Sequence, residues 1–143
     1  MAQIRRNALM PYSTAQMYAL VDDIRAYPEF LPWCTATEIL AEAEEEIRAA
    51  MELSKGRIRK RFSTINRRWP GQRIEMRLLE GPFKHLRGLW RFEALNESAC
   101  KVSIDMEFEF SNKLVAVAFG PIFQQVVGSL VDAFMQRAKA VYG

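Results

Sequence analysis

A chain of 143 residues, 50% of them hydrophobic and 26% charged, can bury roughly two thirds of its unfolded surface, enough for one domain over residues 1–143 without a staple. Its longest apolar run, Leu114 to Phe119, is far below the ~20 residues of a membrane span, and Arg5 and Arg6 precede no apolar signal segment, so a cytoplasmic protein is expected. Cys34 and Cys100 stand far apart without a CxxC or Cys/His cluster, which reads as two reduced packing thiols and implies no structural metal.

Residues 3–11 read as a short strand closed by Pro11. Ser13 followed by Gln16 forms a capping box, after which Met17, Leu20, Val21 and Ile24 fall on one helical face that ends before Pro28. The next segment, Tyr27-Pro28-Glu29-Phe30-Leu31-Pro32-Trp33, carries three aromatics and a leucine, yet its two prolines argue against a regular helix or central strand. Burying these side chains is worth ~1.5–3 kcal/mol each, so the segment either plugs a core or closes an apolar cavity.

Beyond it the hydrophobic period changes to two. Ile47, Ala49, Met51 and Leu53 alternate with more polar neighbours, as do Ile74, Met76 and Leu78, and then Leu86, Trp90 and Phe92. The alternation is clearest where Cys100, Val102, Ile104, Met106, Phe108 and Phe110 share one face and Lys101, Ser103, Asp105, Glu107 and Glu109 the other, as in an antiparallel sheet with one wet side. Pro70-Gly71 and Gly81-Pro82 mark turns. From Pro121, the residues Ile122, Phe123, Val126, Val127, Leu130, Val131, Phe134, Ala138 and Val141 recur at helical spacing, and Pro121 is expected to separate this long helix from a short one at Lys113 to Gly120.

The net charge of +3 conceals a sharp division: Glu38 to Glu52 holds six glutamates against one arginine, whereas Ser54 to Ile74 holds eight cations and no acid. Adjacent antiparallel strands could pair these charges across a solvated face. Alternatively, Arg57, Arg59, Arg61, Arg67, Arg68 and Arg73 form a basic surface for phosphate on RNA or anionic lipid.

The element order gives an α+β fold: six or seven antiparallel strands in a curled sheet, short helices after the first strand, and a long C-terminal helix laid across the sheet. An apolar ligand cavity would form beneath that helix, lined by Met51, Leu53, Phe62, Met76, Leu78, Trp90, Phe92, Val102, Ile104, Met106 and Phe108 from the sheet and by Phe123, Val127, Val131 and Phe134 from the helix. Lys60 shares the inward face of Ile58 and Phe62 and is assigned to the polar rim, its ammonium snorkelling outward. Catalysis is not expected: the single histidine, His85, stands beside a turn, and no nucleophile elbow, phosphate loop, acid/base pair or metal motif occurs.

The segment Tyr27 to Cys34, then Phe62-Ser63-Thr64 with Asn66, Gly81-Pro82-Phe83-Lys84, Gly88-Leu89-Trp90-Arg91-Phe92, Phe108-Glu109-Phe110, and the ending Ala133-Phe134 with Arg137-Ala138 and Val141-Tyr142 resemble the coenzyme Q-binding START-like family of the polyketide cyclase/dehydrase superfamily. The likeness is greatest to its bacterial ribosome association toxin branch. The resemblance implies a helix-grip, Bet v 1-like fold, in which the Tyr27 segment is a lid; Tyr27, Phe30, Leu31 and Trp33, with Phe83 as an opposing jaw, become candidate gate residues. It also implies one of two non-enzymatic roles. The first, ranked ahead here, is binding and presenting a polyprenyl quinone or similar lipid for respiration, with no other cofactor and with peripheral contact to an anionic inner membrane. The second is a toxin of a type II toxin-antitoxin system, partnered by a small antitoxin protein, that binds the large ribosomal subunit through rRNA and blocks subunit joining.

Overall fold

The computed structural model describes residues 1–143. Seven strands, β1 (Ala2–Met10), β2 (Cys34–Glu42), β3 (Glu46–Lys55), β4 (Ile58–Trp69), β5 (Arg73–Glu80), β6 (Phe83–Asn96) and β7 (Ala99–Phe110), form one sheet. Their order is β1-β7-β6-β5-β4-β3-β2, and every neighbouring pair is antiparallel. The expected alternation holds in β7, where Cys100, Val102, Ile104, Met106 and Phe108 are buried and the intervening residues face water. Strand β2 forms one edge and is interrupted by register shifts between Cys34 and Ala36 and between Ile39 and Ala41.

Helix α1 (Thr14–Asp22) starts on the expected capping box: the Gln16 amide donates to Ser13 Oγ at 3.1 Å, and the Ser13 amide donates to Gln16 Oε1 at 2.9 Å. Met17, Tyr18 and Val21 pack its buried face onto the sheet. A 3-10 turn, Ile24–Ala26, leads into the four-residue helix α2 (Tyr27–Phe30). This corrects the expectation of a segment without helix: Pro28 lies in the first turn, where its missing N–H leaves no intrahelical bond unmade. The segment packs closely, with Leu31 only 1% exposed and the Tyr27 hydroxyl donating to the Val21 carbonyl.

Helix α3 (Lys113–Tyr142) corrects a second expectation, because it runs unbroken for 30 residues through Pro121. The carbonyl deprived of an amide partner is that of Val117, whose residue is 69% exposed, so water can satisfy it. Gly120, preceding the proline, has no Cβ to crowd the pyrrolidine ring, and it lies against the Phe110 ring, to which an added Cβ would approach within 3.5 Å. At about 45 Å, the helix is long and apolar enough to cross a membrane. In this fold Phe119, Phe123, Val127, Val131 and Phe134 bury it in the core. A curled sheet grips a long C-terminal helix, as expected of a helix-grip fold. Both cysteines are buried and unpaired, and burial pushes the Cys34 thiol up to about 11.

Candidate functional site: an apolar cavity beneath the long helix

The inner side chains of β3 to β7, the buried face of α3 and the Ile24–Trp33 connector surround a cavity of about 70 Å³. Of the side chains expected to line it, Met51, Leu53, Phe62, Met76, Trp90 and Met106 from the sheet, and Phe123, Val127 and Phe134 from the helix, do so. Leu78, Phe92, Val102, Ile104, Phe108 and Val131 do not. Leu78 is only partly buried, and the other five are buried where the space around them is filled. Helix α1 packs on β6 and β7, so that Phe92 meets the Tyr18 ring at 5.5 Å, while Phe108 meets Phe123 at 4.9 Å.

Tyr27, Leu31 and Trp33 line the cavity from the connector. Phe30 lies outside it, 5.3 Å from the Phe134 ring, with the Arg137 guanidinium 4.9 Å above its own ring. Phe83 is not placed as an opposing jaw. It is 6% exposed and packs into an aromatic cluster with Phe62 at 5.7 Å, Phe110 at 5.2 Å and Phe123 at 5.0 Å, because the turn before it leads the chain straight onto the inner face of β6. Trp33 and Val126 line both the cavity and a shallow external groove, and so form the wall between them. Across that groove Lys55 Nζ donates to Gln125 Oε1 at 2.6 Å. The cation beside this wall is therefore Lys55; Lys60, half-buried opposite Leu53, lines neither space.

Two polar side chains inside the cavity escape a reading based on hydrophobicity. Thr64 and Asn66 continue the inward period of Phe62 along β4, and Thr64 Oγ1 donates to Asn66 Oδ1 at 2.8 Å. Asn66 is 6% exposed and its Nδ2 donates to no protein group, so the cavity holds one free amide donor among apolar walls. Both residues stand in the Phe62 to Asn66 motif, which is the signal available for finding them.

The expected basic surface divides. Arg59 and Arg61 are taken up by Glu52 at 3.6 Å and Glu38 at 2.5 Å, the cross-strand neutralisation that the charge division also allowed. Arg57 and Arg67 are exposed, and Arg73 lies 3.2 Å from Glu75 with its guanidinium 3.9 Å from the Trp69 ring centre. Arg68 is not a surface cation at all. Its side chain, 10% exposed, reaches Asp22 and Glu42 at 3.3 Å each, the Glu44 carbonyl at 3.2 Å and the Ala43 carbonyl. His85 sits on β6 with Nε2 3.9 Å from Glu107 and lines no part of the cavity.

The Pseudomonas aeruginosa protein named ribosome association toxin RatA is 47% identical to this chain over 98% of it and 97% of the relative. The Xenopus laevis protein named coenzyme Q-binding protein COQ10 homolog B, mitochondrial, is 27% identical over 94% of this chain and 57% of its own length. The crystal structure of TTHA0849 from Thermus thermophilus superposes with a TM-score of 0.84 at 18% identity, covering 99% of this chain and 100% of that one, which establishes the likeness of fold. The family model described as polyketide cyclase/dehydrase and lipid transport matches residues 10–135, and the chain belongs to that family.

Proposed function

We propose that this protein is a non-enzymatic, cytoplasmic ribosome association factor that binds the large ribosomal subunit and blocks its joining to the small one, in a toxin-antitoxin pair. The observation that carries this reading is the 47% identity to a protein named ribosome association toxin, extending over 98% of the chain. It reverses the order of the two roles weighed from the sequence. The cavity favours the same order: at about 70 Å³ it falls well below the roughly 300–1,000 Å³ of small-molecule pockets, so a quinone would have to open it. Purified protein is expected to co-sediment with isolated large subunits and to lower the yield of joined ribosomes when small subunits are added. Failure to sediment with either subunit would remove this reading.

A second reading rests on the free amide of Asn66 in an otherwise apolar cavity. A lipid with a carbonyl acceptor, such as a polyprenyl quinone, would enter past Trp33, displace the methionine ends of Met51, Met76 and Met106, and accept a hydrogen bond from Asn66. The Asn66→Leu variant is expected to bind a short-chain ubiquinone roughly tenfold more weakly than the parent, the scale of one lost hydrogen bond. Equal affinities measured by tryptophan fluorescence quenching would take Asn66 out of the site.

A further inference from the structure

The outer face of the sheet has a charge arrangement that pairing within the protein does not explain. Outward-facing side chains on the three middle strands comprise Arg59, Arg61 and Arg67 on β4, Arg73, Glu75 and Arg77 on β5, and Arg87, Arg91 and Glu93 on β6. Most of the carboxylates that could balance them stand on the flanks, with Glu38 on β2, Glu46 and Glu52 on β3 and Asp105 and Glu107 on β7; Glu46 and Glu75, the acids in register with Arg67, are held by Arg48 and Arg73 instead. Among these flanking acids Glu38 holds Arg61, Glu52 holds Arg59 and Glu107 holds Arg87. Arg67, Arg77 and Arg91 are exposed and have no carboxylate within 4.0 Å.

The register sharpens the point. Arg73 lies directly opposite Arg91, and Arg77 directly opposite Arg87, on adjoining strands. Like charges placed opposite one another destabilise a sheet, so two such pairs four residues apart along β5 oppose folding and serve no solubility need that mixed charges would not meet. Between the pairs Glu75 faces Leu89, and Arg73 holds the Glu75 carboxylate at 3.2 Å. The two arginine pairs are about 13 Å apart along the strands, at ~3.3 Å per residue. A groove lies here, walled by Arg67, Arg77 and Arg87 together with Glu75, Asp105, Glu107 and Leu89, so the free cations Arg77 and Arg67 reach it beside carboxylates of which Glu75 and Glu107 are already held by Arg73 and Arg87.

We infer that the middle of this outer face is a docking surface for the phosphate backbone of RNA, with Arg67, Arg77 and Arg91 as its free cations and Arg73 held ready beside them. This rests on the ribosomal reading above and locates its contact away from the cavity and away from Arg59 and Arg61. A phosphate chain supplies the regularly spaced negative charge that would relieve both arginine pairs, and the guanidinium fork matches phosphate oxygens geometrically.

The test compares the parent protein with the double variant Arg77→Gln/Arg91→Gln, using isolated large subunits and a protein-free 20-base-pair RNA duplex over a series of salt concentrations. The double variant is expected to bind subunits at least about tenfold more weakly at moderate salt, and its log–log salt slope should be shallower by roughly 1.4–1.8, the counterions of two phosphate contacts. The control Arg59→Gln/Arg61→Gln should remain within about twofold of the parent, since its guanidinium groups are already paired. Because Arg77→Gln/Arg91→Gln removes repulsion, its thermal midpoint should equal or exceed that of the parent, which separates lost binding from lost folding.

If the parent sediments with large subunits and the double variant does so equally well, the docking face is wrong while ribosome association stands. If the parent binds no subunits but binds the RNA duplex in an Arg77/Arg91-dependent way, the ribosomal reading falls and the RNA face stands. Binding of neither partner overturns both.

Discussion

Replacing Phe134 with alanine is expected to cost about 3–5 kcal/mol of folding free energy, read as a lower denaturant midpoint at unchanged slope. Phe134 is fully buried on α3 and meets three rings at once: Trp90 of β6 at 5.5 Å, Tyr27 at 5.5 Å and Phe30 at 5.3 Å. It therefore joins the long helix to the sheet and to the connector that covers the cavity. Truncation would remove both its own burial and one edge of each aromatic pair, and would enlarge a void that already exists beside it. Phe134→Leu, which fills most of that volume, should lose much less. If Phe134→Ala unfolded at the parent's midpoint, the connector would not depend on α3 for its position.

Arg68→Ala is expected to destabilise the protein by about 3 kcal/mol near neutral pH, because the variant leaves a half-buried carboxylate and two backbone carbonyls without their donor. The pH dependence follows from the partners. Burial raises the Asp22 carboxyl above its usual 3.8 despite the opposing pull of the Arg68 guanidinium, whereas hydrogen bonds from Arg25 and Arg68 hold the Glu42 carboxyl down. Asp22 alone favours the folded state at low pH, and that contribution is lost as pH rises through its elevated folded value. Glu42 does the reverse: its contribution is present above the ordinary glutamate range and is lost as pH falls through its depressed folded value. Arg68 attracts both groups only while they are ionised, so the deficit of the variant should narrow as pH falls, first through the elevated folded value of Asp22 and then through the depressed one of Glu42. Chemical denaturation at several pH values would measure it; a deficit independent of pH would mean that the carbonyl contacts alone matter.

Local pattern is sufficient where one residue's neighbours in sequence decide its environment. The β7 alternation and the Ser13/Gln16 capping box are of this kind, since pleat and cap geometry are set within a few residues. Pro121 is different: its effect on α3 depends on whether water reaches the Val117 carbonyl and on Gly120 beside Phe110, which only the packed helix reveals. The cavity shows the same limit. Period two identifies the inner face, but α1 decides which part of that face is filled, so Phe92 and Met76 look alike in sequence and differ in surroundings. Arg68 shares the inward period of Phe62, yet its charge argues for solvent; its inward partner, Asp22, lies 46 positions away at the end of α1. Thr64 and Asn66 are invisible to a hydrophobic pattern, which cannot anticipate a polar pair within an apolar wall.

The interrupted edge strand has a bearing on how copies of this protein behave at high concentration. An open sheet leaves unpaired amides and carbonyls at both margins, inviting strand addition and fibrous aggregation. Here the two register shifts in β2 break the row of backbone groups that an intruding strand would need, and Glu38 and Glu42 add charge to that margin. At the opposite margin β1 carries Arg5 and Arg6. A seven-stranded sheet that never closes into a barrel is thereby kept from growing an eighth strand out of its neighbour.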